Sequence, residues 1–150
     1  MLKLNDFRNY ITSFKDTVAE ITQAEVVMDD SQINSFLKDQ DPNTNIILGI
    51  IPKHNFGGNI DTLQSSDRIA ILVVRAVDRK NQDQKIFLDT IAEMQDIAQK
   101  VLDKMTADYT NEESCSFMRY LEPDSIDVNP IWGLSGCDGY EIDFNTKTKY

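Results

Sequence analysis

The sequence predicts a single α+β domain over residues 1–150, with an antiparallel or mixed sheet of four to five strands packed by two amphipathic helices. Three observations predict it. A long helical periodicity runs from about Gln82 to Met105, it stands between two strand-rich segments, and a second helical stripe opens the chain. Two strand pairs joined by a helix point to helices packed on one sheet, whereas a doubly wound parallel sheet would need more alternation of strand and helix.

In the opening segment Leu4, Phe7, Ile11, Phe14, Val18 and Ile21 recur at spacings of 3, 4, 3, 4 and 3, which sets them on one stripe of a helix from about Asp6 to Gln23. Asn5 is placed to cap it. A short strand is expected at Glu25–Met28. A short helix follows at Gln32–Lys38, with Ser31 as cap and Ile33, Phe36 and Leu37 on one face, and Asp41–Pro42 closes it.

Asn45–Ile51 is an apolar run of strand length bounded by Pro42 and Pro52. Arg68–Val77 is apolar at both parities, with Ile69, Ile71 and Val73 on one side and Ala70, Leu72 and Val74 on the other. A strand of that kind is central, or is covered on its second face by another subunit. Between the two lies the sixteen-residue stretch Pro52–Asp67, read as a long connection of the kind that is functional or mobile.

The main helix carries Phe87, Ile91, Met94, Ala98, Val101 and Met105 at spacings of 4, 3, 4, 3 and 4, widened by Leu88, Ile97 and Leu102. Its roughly 36 Å would cross a whole sheet, with Asp96 to Lys100 as a favourable pair on the wet side. Cys115–Leu121 then reads as a strand, and a bent segment passes through Pro123, Asp124 and Pro130. Tyr140, Ile142 and Phe144 alternate with Glu141 and Asp143 as a half-buried strand, and Thr146–Tyr150 is a short polar tail.

Composition narrows the function. Apolar residues make up 41% and charged residues 27%, ordinary values for a globular chain. No apolar run approaches a membrane span and the first residues lack a signal pattern, so a soluble protein is expected. Fifteen Lys and Arg against 25 Asp and Glu give a net charge of −10, which repels phosphate and disfavours direct or sequence-specific nucleic-acid binding. With two cysteines and no export signal, Cys115 and Cys137 are expected as reduced thiols.

No motif carries a catalytic or cofactor signature, and neither an enzyme nor a cofactor is expected. Asp39–Asn45 imitates the start of a calcium loop, but Thr44 stands where glycine is needed and Ile50 where a bidentate glutamate belongs. Gly133–Gly139 lacks the Gly-Lys-Ser/Thr ending of a phosphate loop and reads as a turn into the last strand. His54, the one histidine, would have to carry any imidazole chemistry, and a solvated loop histidine is the simpler account. Trp132, the one tryptophan, is read first as a core anchor and second as an interface anchor.

Over nearly the full chain the layout resembles the phage tail-terminator and tail-completion family of head–tail neck proteins. The resemblance is carried by the N-terminal amphipathic helix, the strands Asn45–Ile51 and Arg68–Val77 with their connection, the helix Gln82–Met105, and the late strand Gly139–Phe144. It implies a structural virion protein made in the host cytoplasm. Its subunits would form a ring, in this family commonly a hexamer, at the tail–head junction, contact neighbouring tail-tube or neck proteins, and pass DNA through the lumen. The candidate interface residues are His54, Phe56, Ile60 and Leu63 in the connection, Trp132, and Tyr150 in the tail. The alternative is a monomeric acidic inhibitor, of immunity type, that presents carboxylates to a basic partner.

Overall fold

A computed structural model describes residues 1–113 and 116–149, with the side chains of Ile60 and Lys149 excepted. The expected α+β class is found: three α-helices pack on one mixed sheet of five strands. In chain order these are α1 (Leu4–Thr17), β1 (Gln23–Val27), α2 (Asp30–Leu37), β2 (Asn45–Gly57), β3 (Gln64–Ala76), α3 (Gln84–Thr110), β4 (Leu121–Leu134) and β5 (Cys137–Lys149). Sheet order is β1-β2-β3-β5-β4, with β1 parallel to β2 and every other pair antiparallel.

The two parities of β3 account for both layers of the molecule. Ile69, Ile71 and Val73 face α1 and α3 and join Phe7, Ile11, Phe14, Met94 and Val101 in the main core. Leu72, Val74 and Ala76 face the other way and meet Ile33 and Leu37 of α2 in a second, smaller cluster. Each fully buried aliphatic or Phe side chain contributes about 1.5–3 kcal/mol relative to exposure, so the larger cluster dominates stability. Helix α1 lies close on β2 at Gly49, where an added Cβ would stand 2.6 Å from Ile11 Cγ1 and 2.7 Å from Phe7 Cζ. Polar ties reinforce the layer: Lys104 of α3 bonds Asp108 at 2.7 Å while its ammonium lies 4.7 Å from the Tyr10 ring centre, and Arg75 of β3 pairs with Glu93.

Several local expectations are corrected. The stretch Pro52–Asp67 is no long loop: β2 and β3 run on through it as a hairpin, with pairing from His54↔Asp67 to Gly57↔Gln64. A shift in register between Ile50 and Lys53 marks the irregularity that lets β2 pass Pro52, since proline supplies no N–H to the ladder. The end of the hairpin is a short 3-10 turn, Ile60–Thr62. Within the segment read as the strand Cys115–Leu121, Phe117–Tyr120 form a 3-10 turn capped by the Ser116 hydroxyl, while Ser114 and Cys115 lie outside the described residues. The segment read as bent around Pro123 and Pro130 is the edge strand β4, the position in a sheet where proline is tolerated. Helix α1 ends at Thr17 although Val18 and Ile21 remain buried, so the stripe outlasts the helix. Asp29, not Ser31, caps α2, and α1 begins at Leu4 without a side-chain cap from Asn5. Lys100 pairs with Glu20 beyond α1 and not with Asp96.

The glycine segment is the two-residue turn between β4 and β5. Ser135 and Gly136 both have positive φ, 48° and 81°, as a tight primed hairpin turn requires, and Leu134 and Cys137 pair across it. No helix among the described residues is long and apolar enough to cross a membrane.

Candidate functional site

Two clusters of side chains stand at opposite ends of the sheet. Register places them there: Gln64 pairs with Lys149 at one end of β3 and Ala76 with Cys137 at the other, roughly 40 Å apart for an extended strand of this length.

At the first end, the β2–β3 hairpin brings His54, Asp67 and Ser65 to the helix-covered side of the sheet. His54 Nδ1 lies 2.7 Å from Asp67 Oδ1, the Ser65 hydroxyl donates to the same oxygen at 3.0 Å, and the Leu2 N–H donates to Oδ2 at 2.7 Å. Asp67 is 1% exposed. Burial alone would raise its carboxyl, but the three hydrogen bonds outweigh that and hold it below the usual aspartate range. Ser65 donates to the carboxylate and not to the imidazole, so the trio does not align a hydroxyl for nucleophilic attack. It clamps the start of the chain to the hairpin. His54, expected on a solvated loop, is thus a half-buried strand residue with a fixed partner. Phe56 and Leu63, just beyond the clamp, are exposed at 57% and 40%. Ile60 sits in the 3-10 turn between them, and Tyr150 lies outside the described residues.

At the second end, Trp132 projects from β4 and is 71% exposed, which overturns its assignment to the core. Leu134 and Ile131 are the neighbours that pack inward. Trp132 is nevertheless held in place. The Arg79 guanidinium lies 5.2 Å from its ring centre and pairs with Asp138, which is fully buried and also accepts from Gln82 Nε2 at 3.2 Å and from the Gly133 N–H at 2.9 Å. A buried carboxylate with three donors fixes the arginine, and the arginine supports the indole face. Phe87 of α3 and Trp132 border one shallow hollow. Beside it Ile86 and Leu88 are 47% and 54% exposed, because the first turns of α3 overhang the core. Next to this cluster Cys137 is buried, and burial first, then the Asp138 carboxylate, push its thiol up to about 11 against a smaller lowering by Arg79. A thiol so protonated at neutral pH is a poor nucleophile.

Sequence reasoning named His54, Phe56, Leu63 and Trp132 but missed the buried anchors behind two of them, Asp67 for His54 and Asp138, through Arg79, for Trp132. Asp67 is flanked by Ser65, Ser66 and Arg68, and Asp138 by Cys137 and Gly139, so no apolar pattern in the sequence marks either as buried. The structure does not bring the two ends together within one chain. No family model matches this chain, and no curated protein sequence matches it.

Proposed function

We propose that the protein is a structural subunit of a phage tail or neck, similar to the tail-terminator proteins, that joins copies of itself head to tail into a ring around passing DNA. The observation that carries this is the pair of unlike apolar patches at opposite ends of the sheet, Phe56 with Leu63 and Trp132 with Phe87. A contact between two different patches is heterologous, and a heterologous contact with a closing rotation makes a ring. Trp132 suits such a contact because aromatic residues held rigid before binding lose little freedom on association. The net charge of −10 favours a wall to which DNA does not adhere.

The test is mass in solution by sedimentation, with Trp132→Ala and Phe56→Ala made separately and then mixed. Each variant is expected to be monomeric, and the mixture is expected to stop at dimers, since one intact patch from each partner makes a single contact. Salt is expected to promote assembly by screening repulsion between acidic copies. A chain that stays monomeric at high concentration and high salt, or a Phe56→Ala variant that still assembles through Trp132 alone, would overturn the ring.

A further inference from the structure

The second face of the sheet is used by neither end patch. The helix-covered face takes two long helices to bury it, while the opposite face has only α2, eight residues or about 12 Å of helix. Helix α2 covers Leu48, Leu72 and Val74. Beyond it Ile50 and Ala70 are half-buried, and with Ile33 and the 61% exposed Met28 they line a groove of about 490 Å³. Sheets bury such strips under another layer.

The chemistry around the strip is lopsided. Asp29 and Asp30 lie at its α2 rim. On β5, Glu141 and Asp143 point to the same face as Leu72 and Ala70, their register partners, and Asp127 of β4 stands directly opposite Asp143. Like charges paired across strands repel. Against these five carboxylates stand three cations toward the hairpin, Lys53, Arg68 and Lys147, the last set on this face by its register with Ser66, and Arg68 reaches Asp143 only at 3.9 Å, too long for a hydrogen bond. Burial and the Asp143 charge push the Glu141 carboxyl up, with Arg68 a smaller opposing influence. An incoming cation relieves that crowding. A second copy does not supply it, because face-to-face pairing of two such sheets opposes carboxylate to carboxylate on chains that each carry −10.

From this geometry we infer that the open sheet face is the docking surface for a basic amphipathic helix of a partner protein. Its apolar side would lie on Met28, Ile50 and Ala70 beside α2, and its Lys or Arg residues against Asp127, Glu141 and Asp143. The inference does not rest on the ring: Phe56 and Trp132 lie at the strand ends, on the side of α1 and α3.

The probe is a synthetic helical peptide of Leu and Lys in amphipathic order, with a Leu and Glu counterpart, titrated into the full chain and followed by amide chemical shifts. Binding of the Lys peptide is expected to shift Ile50, Ala70 and Glu141, to weaken with salt, and to be absent for the Glu peptide. Glu141→Lys with Asp143→Lys is expected to weaken it about tenfold or more. Asp89→Lys with Asp96→Lys, the same change in net charge on the exposed side of α3, is expected to alter it by less than about twofold. Asp127→Lys, at an exposed position, is expected to weaken it about threefold and serves if the double variant loses its fold. Equal losses for both pairs, shifts centred elsewhere, no binding, or a change of oligomeric mass in Glu141→Lys with Asp143→Lys would overturn the inference. Trp132→Ala separates the two proposals, since it is expected to change the mass and leave peptide affinity unchanged.

Discussion

The two faces of one sheet differ in how their carboxylates are treated. On the helix-covered face Asp67 is buried, yet it accepts three hydrogen bonds and is held low. On the open face Glu141 is only partly covered, yet it sits beside Asp143 with a distant arginine and is pushed up. Burial by itself does not decide whether a charge stabilises the fold; the donors built around it do. The buried carboxylate of the first face has its hydrogen-bond donors within the chain, and the crowded pair on the second does not.

The largest contrast should appear in truncations. Phe14→Ala on the helix-covered face is expected to cost about 3–5 kcal/mol, because Phe14 of α1 is fully buried in the main core with residues of α3 and the sheet. Ile50→Ala on the open face, where the side chain is already half-exposed, should cost about 1–2 kcal/mol. Urea midpoints compare the two, and equal costs would mean the faces are equally packed.

Asp67→Asn comes next, at about 1.5–3 kcal/mol for a buried, charge-assisted network. Because the folded carboxyl is lowered, its stabilisation is present above the unfolded value near 4 and is lost as pH falls through the folded one. The wild type should therefore lose stability in acid more steeply than Asp67→Asn, and thermal melts across that range read the difference. Parallel curves would show that the clamp carries no linkage.

Glu141→Gln should have the smallest effect and the opposite sign. A raised carboxyl penalises the fold at neutral pH, and the penalty fades as pH falls through the raised folded value. With solvent screening, a gain of a few tenths of a kcal/mol is expected at pH 7, vanishing in mild acid. A loss at neutral pH would mean that the open face already has a countercharge.

The sequence disclosed the layers better than their edges. Periodicity found α1, α3, the two-sided character of β3 and the alternation of Tyr140, Ile142 and Phe144, because burial against a flat layer repeats with the backbone. It failed where pairing continues without an apolar pattern. His54, Asn55 and Phe56 read as loop yet pair with Asp67, Ser66 and Ser65, and β4 with two prolines read as a bend. Edge and hairpin-end strands are held by ladder bonds, which leave no trace in side-chain polarity. At the candidate sites the exposed aromatic residues were legible as types, but the buried aspartates that fix His54 and Arg79 depend on contacts 13 and 59 residues away in the chain.

The sheet order has a consequence for synthesis. Gly57 and Gln64 close the β2–β3 hairpin within a few residues, whereas β3 meets β5 across a span from Gln64 to Lys149. Local pairing forms fast and distant pairing late. Until β5 is made and docked, β3 presents an unpaired edge through Ile69–Val74, the most apolar stretch of the chain, and an open edge of that kind recruits other chains. The last strand therefore covers that edge, and a copy cut short before Cys137 is expected to aggregate, which light scattering during refolding would read.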